Sequence, residues 1–157
     1  MKTEELYVAG GCFWGIEAAF TKQLGVIDAE SGYAGGVVPN PTYEAVCGGT
    51  TGHAETVRVL FDPEATTYEA LVRYFFTIHN PTELNRQGPD VGTQYRSAIF
   101  YKTQEERNVI ENVLSEISAE YYPKPIATNI TEFTNYYKAE EYHQDYAQKH
   151  PSFVCHF

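Results

Sequence analysis

Two apolar periodicities alternate along the 157 residues of this chain. Residues 13–24 repeat apolar side chains at intervals of three or four, as one face of a helix does, and residues 56–61 alternate as a half-buried strand does. The surrounding segments fit the same two patterns and predict the order βα, β, β, α, β, α, β with a helical tail. That order favours an α+β two-layer sandwich of ferredoxin-like type, with a mixed, mainly antiparallel sheet, covering helices and a C-terminal tail.

Two of the predicted helices have sequence signals for their first turn. Thr66 with Glu69, and Thr103 with Glu106, have the spacing of a capping box. Asn80-Pro81 is expected to end the first of these helices. Residues 80–94 are polar and contain Pro and Gly, which predicts a long loop of the kind that often carries function.

The composition limits the classes of function. Acidic residues number 21 and basic residues 11, so the net charge is −10 and a nucleic acid would be repelled. Neither a Pro-rich nor a Ser/Gly-rich linker divides the sequence, which predicts one domain over residues 1–157.

The three cysteines are Cys12, Cys47 and Cys155, an odd number with long spacings. Such spacing fits neither the disulfide framework of a small secreted protein nor paired zinc ligands. The sequence also lacks an apolar run typical of a signal peptide or a membrane span, so we expect a protein of the reducing cytoplasm.

The stretch GGCFWG, residues 10–15, places Cys12 between glycines and two aromatic residues. The thiol would lie at the first turn of a helix, where unpaired N–H groups and the helix dipole favour an anion, so we expect a lowered thiol pKa and a nucleophile. The flanking glycines would keep space open for a substrate. The alternative is a small buried side chain. At least one of Phe13 and Trp14 should border the open face, because adjacent helical positions cannot both face one core.

Glu55 lies at the mouth of the strand TVRVLF, and His53 precedes it by two residues. Burial would raise the pKa of Glu55 and leave a neutral acid able to give a proton, although a solvated strand-end glutamate is the better interpretation from these residues alone. His53 is a candidate base or metal ligand, but a second ligand at suitable spacing is missing from the sequence, so a surface or turn histidine is favoured.

Two tyrosines and an aspartate are further candidates. Tyr43 is expected in a loop, and Asp90 and Tyr95 at the entrance of the strand after residues 80–94. Either tyrosine is a hydroxyl donor if the sheet brings these ends near Cys12, or equally a packed side chain. Cys47 is interpreted as a buried structural residue.

Cys155 lies two residues from the end of the sequence, where chains are usually poorly ordered. If Cys12 were oxidised to a sulfenic acid, a mobile Cys155 would be able to condense with it to a disulfide that a thiol reductant clears. The alternative is an unreactive terminal thiol.

Five motifs resemble the A-type peptide methionine sulfoxide reductases and span nearly the whole chain. They are GGCFWG, GYAGG, PTYEAVCGGTTGHAE, LNRQGPDVGTQYRSAI and AEEYHQDY. The resemblance implies a thiol-dependent oxidoreductase that reduces methionine-S-sulfoxide, protein-bound and free, to methionine.

The same resemblance implies roles for the candidate residues. Cys12 would be the nucleophile and Glu55 the proton donor, with the sulfoxide oxygen held by Tyr43 and Tyr95. Substrate binding would fall to three further residues: the methyl group would contact Phe13 and Trp14, and Asp90 would support binding.

Recycling is also implied by the resemblance. Cys155 falls on the family's first recycling cysteine, so the cycle would run through a Cys12 sulfenic acid and a Cys12–Cys155 disulfide reduced by thioredoxin, or by dithiothreitol, with neither metal nor organic cofactor. Many members have Gly-Tyr before this cysteine and another cysteine in a glycine-rich tail. This chain has Phe153-Val154 and stops at Phe157, so we expect one recycling cysteine and a stiffer tail.

Thioredoxin, oxidised proteins and free methionine sulfoxide are therefore the expected partners, and a monomer is the expected state. Two other classes of function remain open from the residues. One is a cysteine hydrolase with Cys12 as nucleophile and His53 or His79 as base. The other is an anion-binding module built on the glycine turn and the helix N-terminus.

Overall fold

The structure is a computed structural model that describes residues 2–152. Its strands are β1 (Glu4–Gly10), β2 (Val26–Ala34), β3 (Ala54–Phe61), β4 (Arg86–Gln87), β5 (Asp90–Val91), β6 (Ser97–Tyr101), β7 (Asn129–Glu132) and β8 (Tyr136–Lys138). Its α-helices are α1 (Phe13–Thr21), α2 (Tyr43–Cys47), α3 (Tyr68–Phe75), α4 (Gln104–Tyr121) and α5 (Tyr146–Lys149). Short 3₁₀ helices cover Thr93–Tyr95 and Glu141–His143.

Six strands form one sheet in the order β7-β6-β1-β3-β2-β8. Its neighbouring strands are antiparallel except for β6 and β7, which are parallel. The strands β1, β2, β3 and β6, with α1 after the first and α3 after the third, have the ferredoxin-like order. The predicted α+β fold with a mainly antiparallel mixed sheet is confirmed, while β7 and β8 extend its two edges and β4 and β5 form a separate hairpin.

The main core lies between the sheet and the helices α1, α3 and α4. Its fully buried members include Leu6, Val8, Phe13, Phe20, Val57, Phe75, Ile99 and Ile110. The opposite face of the sheet carries four alanines with Tyr7 and Phe100, and Phe133 and Tyr136 pack against it. Burial of both faces fixes the strand register, because a slip of one residue would exchange the two sets of side chains. Within the described range 2–152, no helix is long and apolar enough to cross a membrane.

One of the two predicted helix caps is confirmed and the other is shifted by one residue. The hydroxyl of Thr103 accepts the N–H of Glu106 at 3.1 Å, as predicted. In α3 the cap is Thr67, which accepts the N–H of Ala70 at 3.0 Å, so the prediction of Thr66 is wrong.

The same helix also ends earlier than predicted. The structure ends α3 at Phe75, whereas the sequence placed its end at Asn80-Pro81. Single turns continue through Ile78, and His79 then stacks on Phe75 with ring centroids 4.0 Å apart.

The turn between β1 and α1 is packed against other parts of the chain. Gly11 has a φ of 98°, and a Cβ there would lie 2.8 Å from the side chain of Gln87 in β4. A Cβ at Gly10 would lie 3.0 Å from the ring of Phe75. The expectation that these glycines keep space open for a substrate is therefore wrong, since they let the β4–β5 hairpin and α3 approach the backbone next to Cys12.

Candidate active site

Cys12 is the N-cap of α1 and is partly buried. The backbone N–H groups of Trp14 and Gly15 hydrogen-bond its sulfur and favour the thiolate, as the sequence indicated. Burial nevertheless raises the pKa of the thiol to about 12, and the negative charge of Glu55 acts in the same direction. The predicted lowering of the thiol pKa is wrong, because desolvation outweighs the two backbone hydrogen bonds.

Glu55 lies at the start of β3 and is only 1% exposed. Its Oε1 accepts the N–H of Phe13 at 3.1 Å, and its Oε2 has no hydrogen-bond partner among the described residues. Burial raises the pKa of the carboxyl to about 8, against the opposing effect of the Phe13 hydrogen bond. The solvated strand-end interpretation is therefore wrong, and the carboxyl is mainly protonated at pH 7.

The hydroxyl groups of Tyr43 and Tyr95 lie near this carboxyl. Burial raises the pKa of both tyrosines, and the charge of Glu55 is the second cause for each. Tyr43 is the first residue of α2 and not a loop residue, and its backbone N–H donates to Glu140 at 2.9 Å. Because both tyrosines stay neutral, their hydroxyl groups can donate hydrogen bonds to an oxygen.

Cys47 lies with these tyrosines at the end of α2. It is partly buried, and its thiol lies near the side chains of Tyr43 and Tyr95. Burial raises the pKa of this thiol as well. The sequence predicted a buried Cys47, whereas its side chain is partly buried and lies beside the candidate site.

Asp90 is partly buried in β5, opposite Gln87 of β4. Its negative charge contributes to the raised pKa of Cys12, of Glu55 and of Tyr95. The β4–β5 hairpin, which lies within residues 80–94, thus brings Asp90 close to Cys12, Glu55 and Tyr95.

The aromatic residues after Cys12 form one side of the site. Phe13 is fully buried, whereas Trp14 is partly buried, and their ring centroids are 6.4 Å apart. The indole N–H of Trp14 donates to Nδ1 of His143 at 3.0 Å, and its ring stacks on Tyr146 at 3.7 Å. Of the two rings, Trp14 is therefore the one that is partly exposed, while Phe13 packs in the core.

The roles of His143 and Tyr146 were missed from the sequence. Both belong to AEEYHQDY, a motif that contributed to the resemblance but was not assigned a residue role. Their contacts to Trp14 join positions 129 or more residues apart, which no local pattern reveals. The sequence feature that could have pointed to these roles is the clustering of a histidine with three aromatic or amide residues in this short motif.

Two histidines proposed as bases are occupied by structural hydrogen bonds. His53 is 1% exposed, accepts the N–H of Gly36 at 3.0 Å through Nδ1 and donates through Nε2 to the carbonyl of Val38 at 2.7 Å. His79 donates through Nδ1 to the carbonyl of Phe75 at 2.8 Å and bonds Ser97 at 2.7 Å. The surface or turn position predicted for His53 is wrong, and neither ring is free to serve Cys12 as a base in a hydrolase.

The remaining predictions concern Cys155, a metal site and an anion-binding site. Cys155 lies outside the described residues. Among residues 2–152 the structure has no group of three His, Cys, Asp or Glu side chains arranged to hold a metal ion. Glu55 and Asp90 place acidic groups beside the N-terminus of α1, which disfavours a site for a free anion.

Comparisons with known proteins agree with this geometry. The family model described as peptide methionine sulfoxide reductase matches residues 4–157. A peptide methionine sulfoxide reductase MsrA of Thermus thermophilus is 56% identical over 151 residues, covering 96% of this chain and 85% of the relative.

Solved structures give the same result. The reduced form of Mxr1 from Saccharomyces cerevisiae has a TM-score of 0.93 and 39% identity, and the match covers 99% of this chain and 90% of that one. Mxr1 in complex with Trx2 has a TM-score of 0.67 and 29% identity over 93% of this chain and 86% of that one. The chain therefore belongs to the peptide methionine sulfoxide reductase family, and it is a thiol-dependent oxidoreductase of the A type.

Proposed function

We propose that this protein reduces the S epimer of methionine sulfoxide, protein-bound and free, through attack by Cys12. The observation that carries the proposal is the pairing of a nucleophilic sulfur with a buried carboxyl that holds its proton at neutral pH. Glu55, with a pKa raised to about 8, has a proton to give to the sulfoxide oxygen. The neutral hydroxyl groups of Tyr43 and Tyr95 are available as donors to the same oxygen.

The first step transfers oxygen from the substrate to Cys12. As the sulfur of Cys12 attacks the sulfoxide sulfur, an S–S bond forms, and Glu55 gives its proton to the oxygen and then receives the proton that the thiol releases. The bond between the oxygen and the substrate sulfur then breaks as the oxygen bonds to the sulfur of Cys12, the S–S bond breaks, and methionine leaves with its sulfur as a sulfide. The thiol is oxidised by two electrons to a sulfenic acid, and the sulfoxide is reduced to the sulfide. Oxygen ends on Cys12 with one proton, and Glu55 ends protonated.

The arrangement also supports a choice of epimer. A sulfoxide sulfur carries oxygen, a methyl group and the side-chain carbon in a pyramid. If the oxygen lies against Glu55 and the tyrosines, and the methyl group against Phe13 and Trp14, the sulfur faces Cys12 in only one configuration. The resemblance identifies that configuration as S.

The second half of the proposed cycle uses Cys155 and needs neither a metal nor an organic cofactor. The Cys155 thiol condenses with the Cys12 sulfenic acid, a disulfide forms and water leaves. Thioredoxin, or dithiothreitol in its place, then supplies two electrons and two protons that restore both thiols. The complex of Mxr1 with Trx2, a thioredoxin, supports this choice of reductant.

The proposal is tested with separated S and R epimers of N-acetylmethionine sulfoxide. With dithiothreitol we expect the wild type to reduce the S epimer over many turnovers and to leave the R epimer unchanged. Cys12→Ser should form no methionine product, because serine is too weak a nucleophile toward sulfur. With thioredoxin as sole reductant, Cys155→Ser should form about one product per enzyme and then stop.

Three results would contradict parts of this proposal. Reduction of the R epimer at a comparable rate would remove the assigned stereochemistry, and activity of Cys12→Ser would remove the nucleophile. Sustained turnover of Cys155→Ser with thioredoxin would show that another group recycles Cys12.

A further inference from the structure

The carboxylate of Glu140 joins two parts of the chain that are remote in sequence. Its Oε1 accepts the hydroxyl of Tyr33 in β2 at 2.7 Å, and its Oε2 accepts the backbone N–H of Tyr43 in α2 at 2.9 Å. The two contacts cross 107 and 97 residues of sequence. The reaction proposed above does not use this carboxylate.

The contact with Tyr43 fixes one end of a very short helix. Tyr43 is the first residue of α2, and the first N–H groups of a helix have no partner within it. A helix of five residues is too short to be stable alone, so contacts from other elements set its position. Nε2 of Gln94 donates to the carbonyl of Cys47, the last residue, at 3.2 Å. The carboxylate of Glu140 holds the first residue.

The ring of Tyr43 is surrounded by other rings. Its centroid lies 6.3 Å from that of Phe13, 6.2 Å from that of Trp14 and 4.3 Å from that of His143. Such apolar contacts are not directional, whereas a hydrogen bond fixes both a distance and a direction. A displaced backbone at Tyr43 would therefore move its hydroxyl even if the ring stayed packed.

The carboxylate of Glu140 is itself held in place by the core. Tyr33 is fully buried, and it lies opposite Glu55 where β2 pairs with β3. Burial opposes the ionisation of Glu140, but hydrogen bonds from the Tyr43 N–H and the Tyr33 hydroxyl keep the pKa of Glu140 below its ordinary value. The group is therefore charged at neutral pH, and hydrogen bonds to a charged acceptor are shorter and stronger than neutral ones.

We propose that Glu140 is a positioning residue whose carboxylate, oriented by Tyr33, places the hydroxyl of Tyr43 where the sulfoxide oxygen binds. This inference rests on the proposed function, because the position of the hydroxyl matters only if it receives that oxygen. Glu140 acts through the backbone of Tyr43 and not on the substrate. Its removal should therefore slow the reaction only as far as the Tyr43 hydroxyl contributes to it.

Three variants separate position from charge in single-turnover reduction of N-acetylmethionine-S-sulfoxide without added reductant. Glu140→Ala removes both hydrogen bonds and should lower the rate constant about 5- to 20-fold. Glu140→Gln should stay within about threefold of the wild type, because its amide oxygen can accept the Tyr43 N–H while its amide N–H donates to the Tyr33 oxygen. The control Glu141→Ala removes the same charge from a side chain that is 81% exposed, and its rate should be within about twofold.

Double-mutant cycles identify the group through which Glu140 acts. In a Tyr43→Phe background there is no hydroxyl to position, so Glu140→Ala should lose most of its effect on the rate constant. In a Tyr95→Phe background the Tyr43 hydroxyl is still present, so Glu140→Ala should keep its effect. Thermal midpoints are recorded for every variant, and Glu140→Ser replaces Glu140→Ala if the alanine variant does not fold.

The proposal is overturned if Glu140→Ala is as fast as the wild type, or if its fold-effect is the same with and without the Tyr43 hydroxyl. It is also overturned if Tyr95→Phe suppresses the effect as strongly as Tyr43→Phe does, or if Glu140→Gln is as slow as Glu140→Ala. Failure of the proposed function is a different result, because the wild type itself would then release no methionine product.

Discussion

Cys12 and Glu55 hold two protons in the free enzyme at neutral pH. Burial raises the pKa of the thiol to about 12 and the pKa of the carboxyl to about 8. The thiol is therefore not activated in advance by the helix N-terminus. Both protons are instead present before the substrate arrives; in the proposed reaction one goes to the oxygen and Glu55 takes the other as the sulfur attacks.

Protonation of both groups also limits side reactions. A protonated thiol is a poor nucleophile toward general electrophiles and oxidants. In the proposed mechanism the substrate activates Cys12, because a bound sulfoxide offers an oxygen that accepts the Glu55 proton and lets the carboxylate take the proton of Cys12. The burial that raises the two pKa values therefore also favours reaction of Cys12 with a bound sulfoxide over reaction with general electrophiles and oxidants.

At the scale of elements, the segment of residues 139–146 completes the site. Glu140 accepts the hydroxyl of Tyr33 at 2.7 Å as well as the N–H of Tyr43, and Gln144 bonds both the N–H and the carbonyl of Ser31. The segment is therefore fixed on β2 and α2 while His143 reaches Trp14. This explains how a chain end remote from α1 sets the position of an aromatic ring next to Cys12.

This arrangement predicts the effect of His143→Ala. Trp14 loses the hydrogen bond to His143 and the contact with its ring, so we expect KM for N-acetylmethionine-S-sulfoxide to rise about tenfold, the cost of one such contact. Trp14 is the only tryptophan in the chain, so its emission reports the change directly. We expect a red shift of that emission in the variant.

Trp14→Phe provides the control. Phenylalanine has no indole N–H to donate, so His143→Ala should raise KM little further in that background. An unchanged Trp14 emission and KM in His143→Ala would contradict the positioning role.

At the scale of the whole molecule, buried acids link stability to pH in a chain of net charge −10. Glu17 of α1 is 2% exposed, and its carboxylate accepts the hydroxyl of Ser31 at 3.2 Å. Burial and the charge of Asp145 raise the pKa of Glu17 to about 7. Between the unfolded value of 4.5 and pH 7 the folded chain keeps a proton that the unfolded chain has lost, so stability falls as pH rises through this range.

Glu17→Gln removes this titration and keeps the hydrogen-bonding shape of the side chain. Between pH 5 and pH 8 we expect the thermal midpoint of the wild type to fall further than that of the variant. The difference between the two falls should be roughly 2–4 °C, the effect of about 1 kcal/mol in a domain of this size. Differential scanning calorimetry at several pH values measures the difference. Parallel curves for the two proteins would contradict the raised pKa of Glu17.

The parts of this molecule that were predictable from the sequence are those set by local patterns. The ferredoxin-like order follows from apolar periods within single elements, and Thr103 caps α4 through a residue three positions away. The errors at Cys12 and His53 have a common cause. Burial and the charge of Glu55 raise the pKa of Cys12, and His53 is hydrogen-bonded to backbone groups 15 and 17 residues away; both depend on contacts remote in sequence.

The resemblance supplied what the local patterns did not. It implied roles for Glu55, Tyr43 and Tyr95, and the structure brings Glu55 and Tyr95 close to Cys12 and Tyr43 close to Glu55. It did not indicate the contacts of Cys47 and Gln94, because these depend on how α2 packs against residues 92–95.

The most direct test of the central claim is the pH dependence of the single-turnover rate constant for sulfide formation, measured by rapid quench between pH 6 and pH 10. Because the reacting state carries a proton on Glu55, the rate constant should be level at the acid end and fall as pH rises through about 8. Glu55→Gln should be slower by about 100-fold or more and lack this inflection. A wild-type rate constant that instead rises through pH 8 would mean that the reaction proceeds from an ionised Glu55, and it would contradict the account.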